Sequence, residues 1–485
     1  MEELEHSKAN MASYGFAKFL SEFIEMAFTS WAFYFYERTI GLASIWVGIG
    51  YLIFGLYNAV NDPVMGIVTN RPFKFTKKLG RRFPWIMIGG VPYVLSYILI
   101  FSPPAVDPNS QALVLFIYLV VSTCVFDTFN SIFFINYASL FPDKFRSGKE
   151  RRTATAIGTP IGILGVAVGA LVPPLLIDKT SQFSYIFQAI IMAVIGLIAL
   201  VIAIPGCRED QITVERYLEK YEERQKSEDT KKRDSFFKLM IRALKQTSFI
   251  VFVIGYALYR CLVISMQASI PYVVDFVLMR PEDFVTLLSA GFLVGALVSS
   301  PLWAYFAQKI NNNKRVMLIS SGLMVVFTIP LTFITNWIIM FIVTFLWGIG
   351  LGGYWTLISP VLADIIDESV VKTERREEGV YNGFLQFFGR LGIIFQALSF
   401  TLVHIFTGFQ EGVGGVAIYE LFGMEFDLTF LTGAQTPLAI FGIQMHFALI
   451  PAIVMLIGTL VFWKFYKLTP DKVQEHEARV RELKL

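Results

Sequence analysis

Apolar runs of about 20 residues or more recur along the chain, separated by short polar segments, and a run of that length crosses a bilayer as a helix. The pattern predicts twelve spans, at 12–37, 41–68, 84–103, 111–140, 153–177, 184–206, 247–278, 284–306, 316–335, 337–366, 379–405 and 436–466. Several exceed a straight crossing, which implies tilt or protrusion into the headgroups. An even number puts both termini on one side, and the basic residues say which. The loop at 70–83 holds Arg71, Lys74, Lys77, Lys78, Arg81 and Arg82 with no acid. Lys144, Arg146, Lys149, Arg151 and Arg152 follow the fourth span, and Lys309, Lys314 and Arg315 follow the eighth. The segment at 407–435 on the other face has Glu411, Glu420, Glu425 and Asp427 and no base. By the positive-inside rule both termini are expected in the cytoplasm. Residues 1–10 are polar and acidic, unlike the basic start of a cleaved leader, so the first span is expected to be retained.

A segment of mixed charge at 207–246 divides the spans six and six. Its end puts Phe237, Met240, Ile241 and Leu244 on one side and Lys238, Arg242 and Lys245 on another, as in a helix lying in the membrane interface. The expected organisation is a six-helix bundle at 1–206, this cytoplasmic linker, a second bundle at 247–466 and a cytoplasmic tail at 467–485. Two six-helix halves suit an all-helical transporter with its sites at the midplane.

Composition agrees with this class. The 485 residues are 55% apolar and 16% charged, with a mean hydropathy of +0.58, too greasy for a soluble multidomain protein. The net charge of +3 is spread over short loops and does not form the stripe of a nucleic-acid binder. Cys124, Cys207 and Cys261 offer neither a disulfide framework nor metal-ligand spacing. No nucleophile–base pair or phosphate loop marks an enzyme, and no cofactor is expected.

The candidate chemistry centres on GLYNAVNDPVMG in the second span. Asn58, Asn61 and Asp62 are three and four residues apart and share a helix face. Pro63 removes the helical donor of the Ala59 carbonyl, freeing it for another partner. An ionisable residue in a span reads by default as functional, here as a cation ligand; the competing reading is a polar clamp between helices. Asp127, Ser131 and Phe134 line one face of the fourth span. Glu22 and Glu25 lie a turn apart in the first, and Arg260 lies mid-way along the seventh. Arg260 and Asp127 fit a structural ion pair as well as they fit solute contact. His404 and His446, near the outer ends of their spans, read as satisfied polar residues. The basic loops bind headgroups at the least. Acids clustered at the cytoplasmic end of the tenth span add a further reading: Arg81, Arg82, Arg151 and Arg152 are expected to form gating salt bridges with Asp364, Asp367 and Glu368.

Five motifs in this order carry a resemblance: SYGF, YNAVNDPVMG, LGRRFPW, NYASLFPDKFRSGKERR and ADIIDESVVKTERREEGVYNGF. Over almost its whole length the chain resembles the glycoside–pentoside–hexuronide:cation symporters. That branch of the major facilitator superfamily includes melibiose permeases and animal sodium-dependent lysolipid transporters. The resemblance implies a cation site at Asn58, Asn61, Asp62 and Ser131, where Asn58 replaces an aspartate. It implies a solute site at Glu22, Phe134, Trp355 and Arg390, where Phe134 replaces an acid, Ala138 an aromatic and Arg390 a lysine. Asp127 and Arg260 are added to that site on their charge.

The expected function is cation-coupled symport of a sugar, glycoside or hexuronide by alternating access. A lysolipid or other amphiphile is the alternative cargo, and a non-transporting receptor or scaffold the alternative of another class. The coupling ion is sodium or a proton, with Asp62 the metal ligand if it is sodium. With one acid replaced, a lone Asp62 would lean toward a proton. The partners are a small solute, a monovalent cation and the bilayer of the cell membrane, with the protein a monomer.

Overall fold

Long helices occupy nearly every apolar run, and apolar side chains line both their buried and their exposed faces. A computed structural model describes residues 6–69, 76–145, 147–226, 243–373, 378–411, 418–421, 424–427 and 435–483. In the first half α1 is Lys8–Tyr34, α2 Ser44–Val68, α3 Phe83–Ile100, α4 Ala112–Lys144, α5 Gly148–Leu171 and α6 Gln182–Cys207. In the second, α7 is Thr247–Tyr272, α8 Asp283–Ile310, α9 Asn313–Leu331 and α10 Trp337–Thr373. Helix α11 runs as Glu378–Gly389 and Leu391–Thr407 with a break at Arg390, and α12 spans Pro437–Phe465 with a π-helical turn at Met445–Leu449. A short antiparallel hairpin, β1 Ile418–Leu421 with β2 Met424–Asp427, lies between α11 and α12.

Helix α2 shows why this is a membrane fold. Ile45, Ile49, Ile53, Leu56, Val60 and Val64 recur every three or four residues and are exposed, while Asn58 and Asn61 are buried. That inverts the soluble pattern, as expected when the surroundings are hydrocarbon and polar groups must be satisfied inside. Eleven helices among the described residues are long and apolar enough to cross a membrane, against the twelve spans expected from the apolar runs. Helix α1 has the length, at 27 residues, but Lys18, Glu22 and Glu25 dilute its hydropathy; it packs against α5 and α6. Helices α4 and α10 run past their expected ends, to 33 and 37 residues. At 1.5 Å per residue they reach about 50 and 55 Å, more than the hydrocarbon core. The expected interfacial helix at 236–246 lies mostly outside the described residues.

The helices group into two compact units, Met1–Lys231 with Glu411–Val413, and Lys232–Gln410 with Gly414–Leu485. Each unit has a glycine-lined seam. In the first, a Cβ on Gly165 or Gly169 of α5 would stand 2.4 and 2.3 Å from the Phe19 and Phe23 carbonyl oxygens of α1. In the second, a Cβ on Gly348 or Gly352 of α10 would stand 2.2 and 2.4 Å from the Phe292 and Ala296 carbonyls of α8. Without a hydrophobic force between helices in lipid, such backbone approach is what packing relies on.

The turn before α3 has its own logic. Gly80 adopts φ +83°, open to glycine and strained for other residues. The chain reversal lets Glu209, just past α6, accept from the backbone N–H of Arg82 at 2.6 Å and of Phe83 at 3.2 Å. A carboxylate from across the bundle thereby caps the positive end of α3.

Candidate functional site

Helices α2 and α4 pack together, and their polar faces meet. Ser131 Oγ donates to Asp62 Oδ1 at 2.5 Å. Asn61 Nδ2 lies 2.9 Å from Ser131 Oγ and 3.0 Å from Asp127 Oδ2, donating to both. Asn58 Nδ2 donates to the other Asp127 oxygen, Oδ1. One turn away, Thr128 Oγ1 donates to the Cys124 carbonyl at 2.8 Å, so it accepts from the Tyr57 hydroxyl at 2.7 Å. Asn58, Asn61, Asp127 and Ser131 are buried and Asp62 is half-buried. The three-and-four spacing on α2 and the four-residue spacing on α4 bring five polar side chains into one network. All four residues of the expected cation site belong to it. So does Asp127, which its charge and its place on α4 had grouped with the solute residues.

Two carboxylates, two amides and a hydroxyl supply hard oxygens, the donor type that alkali and alkaline-earth cations prefer. The Asn58 Oδ1 oxygen is buried and accepts no hydrogen bond from the described residues. No group of three His, Cys, Asp or Glu suited to a metal ion occurs among the described residues.

The expected solute residues fall on both units. In the first, Glu22 on α1 and Phe134 on α4 are half-buried and Ala138 is exposed. Phe134 lies 6.4 Å from the Tyr137 ring. In the second, Trp355 Nε1 donates to the Tyr259 hydroxyl at 2.5 Å, and the Tyr259 ring stacks on Tyr354 at 4.1 Å. Arg260 follows Tyr259 on α7. Arg390 sits at the break of α11, between Gly389 and Gly392. A Cβ on Gly392 would stand 2.9 Å from the Arg260 carbonyl, so the glycines let the two arginine-bearing helices touch.

The charges assigned to gating have partners within their own units. Arg81 pairs with Asp143 at 2.9 Å, and its guanidinium lies 4.2 Å from the Tyr217 ring centre. Arg82 Nη1 donates to Asn136 Oδ1 at 3.2 Å, and burial beside Arg81 holds its pKa down to about 10. Arg151 Nε donates to the Phe145 carbonyl at 2.8 Å; the Arg152 side chain lies outside the described residues. On α10, Asp364 accepts from Asn313 at 2.9 Å, and Glu368 accepts from Lys372 at 2.7 Å and Gln246 at 2.9 Å. Asp367 is half-buried on the same stretch. Glu209, Asn136 and Tyr259 are not singled out by the sequence. Glu209 looks like part of the solvated linker, and only its place beside Gly80-Arg81-Arg82 reveals its use.

The two histidines hold each other. Ser269 Oγ donates to the Ser265 carbonyl at 2.7 Å, so it accepts from His446 Nδ1 at 2.8 Å. His446 Nε2 is then the acceptor for His404 Nε2–H at 3.0 Å. Both rings are buried against Tyr272, Phe400 and, for His404, Phe409.

Comparison with known proteins places this architecture. The uncharacterized symporter YnaJ of Bacillus subtilis (strain 168) is 24% identical over 490 residues, covering 98% of this chain and 95% of its own. The sodium-dependent lysophosphatidylcholine symporter 1 of Mus musculus is 23% identical, covering 88% of this chain and 79% of its own. The crystal structure of the nucleoside transporter NupG superposes with a TM-score of 0.58 at 13% identity, over 95% of this chain and all of the other, which establishes the fold. Residues 13–470 match the family described as MFS/sugar transport protein, and with nearly the whole chain inside that match the protein belongs to this melibiose-permease-like family of major facilitator transporters.

Proposed function

We propose that the protein is a cation-coupled symporter working by alternating access in the cell membrane, as a monomer with both termini in the cytoplasm. The observation that carries the reading is the buried network of Asp62, Asn58, Asn61, Ser131 and Asp127 inside an otherwise apolar bundle. A bound cation offsets charge that is costly to keep in a low-dielectric interior, and its presence or absence changes which conformation is favourable. The first reading of the cargo is a sugar, glycoside or hexuronide. Trp355 would stack on its apolar face, Arg260 and Arg390 would take a carboxylate or hydroxyls, and Glu22 would accept from hydroxyls. A second reading, a lysolipid, is favoured by Phe134 and Ala138, which make the fourth-helix wall apolar, and by the sodium-dependent lysophosphatidylcholine symporters among the relatives. Arg81, Arg82, Arg151 and Arg152 remain candidates for pairing with Asp364, Asp367 and Glu368 when the cytoplasmic side closes.

The test is uptake into proteoliposomes under separately imposed sodium and proton gradients, across a panel of glycosides, uronates and lysolipids. One class should accumulate against its gradient in the presence of the coupling ion. Asp62→Asn should abolish accumulation but spare exchange of bound solute, because exchange needs no net cation movement. Absence of flux for every class and ion would overturn symport, and accumulation by Asp62→Asn would overturn the site.

A further inference from the structure

The network on α2 and α4 has one more acid than the second helix alone supplies. Asn58 contributes no charge, so on α2 the only carboxylate in the network is Asp62. Directly across, Asp127 is 1% exposed, and both of its oxygens face α2. Oδ1 accepts from Asn58 and Oδ2 from Asn61 at 3.0 Å. Three hydrogen bonds connect the two acids: Asp62 Oδ1 to Ser131 Oγ, Ser131 Oγ to Asn61 Nδ2, and Asn61 Nδ2 to Asp127 Oδ2.

This arrangement lacks the economy of a structural clamp. Asp127 is buried and Asp62 half-buried, and the amides of Asn58 and Asn61 and the Ser131 hydroxyl join the two acids across the helices. Asn58 turns its amide N–H toward Asp127 and thereby strands its own Oδ1, buried and without a donor among the described residues. Buried oxygens in native proteins nearly always have a partner, so a stranded one beside two acids points to a positive ligand. Asp62, Asp127, Ser131 Oγ and Asn58 Oδ1 together form a hard-oxygen set of two negative charges and two neutral dipoles. Rotation of the Asn58 amide about its terminal torsion would present Oδ1 where N–H now points, a soft motion for that bond.

We propose that Asp127 is the second carboxylate ligand of the cation site, supplying from the fourth helix the charge that Asn58 withholds from the second, and that the cation is sodium. The proposal rests on the symport reading above and deepens it. A carboxylate pair favours a metal cation over a lone-acid proton site, since ligand charge sets the affinity of hard-oxygen cages. It also ties the ion to two helices at once. Sodium then acts as a bridge between α2 and α4, and its release frees them to shift.

The experiment uses the full-length protein, purified, with sodium chloride against choline chloride as the probe and thermal stabilisation as the readout. The parent protein should gain stability with sodium. Asp127→Asn should raise the half-saturating sodium concentration by roughly tenfold or more, the scale on which metal sites respond to losing a supporting group. The double variant N58D/D127N returns the acid to the second helix and should recover a half-saturating concentration near the parent's. The double variant also serves where D127N alone folds poorly, because it keeps two carboxylates. A well-folded N58D/D127N with no sodium response overturns the proposal. So does D127N with the parent's sodium response; if D62N is insensitive in that same assay, the symport site stands and only the role of Asp127 falls. A parent-like sodium response in D62N as well would take down the cation site itself.

Discussion

Removing the Glu209 carboxylate tests whether the Gly80-Arg81-Arg82 turn is a fixed anchor within its half. In the structure this one carboxylate oxygen accepts from the Arg82 and Phe83 backbone N–H groups and lies in the field of both guanidinium groups. Loss of a helix N-terminal cap costs about 1 kcal/mol. Arg82 keeps Asn136 and the field of Asp143, so Glu209→Ala should cost about 1–2 kcal/mol, the range of a lost cap. Glu209→Gln keeps an acceptor oxygen and should cost about 1 kcal/mol, near the value of one hydrogen bond. Gly80→Ala attacks the same contact from the other side. Its Cβ would stand 2.1 Å from Glu209 Oε2, on a backbone at φ +83°. Since both changes break one contact, G80A in the E209A background should add less than it does alone. The assay is thermal melting of the purified protein, read by tryptophan fluorescence, for the four members of the cycle. Parent-like melting of E209A, or strict additivity, would refute the anchor and leave these arginines free for the gating reading.

Four further outcomes are expected. Burial raises the Glu209 carboxyl above its ordinary 4.5 against the pull of the neighbouring donors. An acid with a raised folded pKa contributes fully below its unfolded value and loses that contribution as pH climbs through the folded one. Melting should therefore fall slightly over that window in the parent and stay flatter in E209Q; equal slopes would count against it. Gly169→Leu would put a Cβ 2.3 Å from the Phe23 carbonyl oxygen, forcing the helices apart, and should destabilise by about 1–3 kcal/mol, which melting of the detergent-solubilised protein would show absent if the seam is loose. Arg390→Gln should weaken solute-driven transport while leaving the protein inserted, and unchanged uptake would make Arg390 peripheral. Single cysteines at Lys77 and Glu420 should be labelled only from the cytoplasm and only from outside, respectively, and cytoplasmic labelling at 420 in sealed cells would reverse the orientation.

Local periodicity alone makes much of this protein legible. Bilayer thickness imposes a length on every crossing, so most of the long helices can be read as apolar runs. The shared face of Asn58, Asn61 and Asp62 follows from helical pitch. The family motifs reach nearly the full chain because they are contiguous strings. Span ends are less legible: α4 and α10 continue beyond their apolar cores, where hydropathy drops but helical hydrogen bonding does not. Helix α1 counts with the rest by length, although its charges set it apart from the eleven apolar ones. What only the tertiary structure decides are the partners across helices. Position on its own helix leaves Asp127 open between solute contact and an ion pair, whereas packing against α2 turns both its oxygens toward Asn58 and Asn61. Glu209 reads as linker until the Gly80 turn brings two N–H groups to it. The link from His404 through His446 to Ser269, and that from Trp355 to Tyr259, join residues far apart in sequence. In lipid the outward faces are uniformly apolar and say little about neighbours. Which polar group meets which is therefore set by backbone approach at seams such as Gly165–Gly169 and Gly348–Gly352, a property of three-dimensional packing that no single helix encodes.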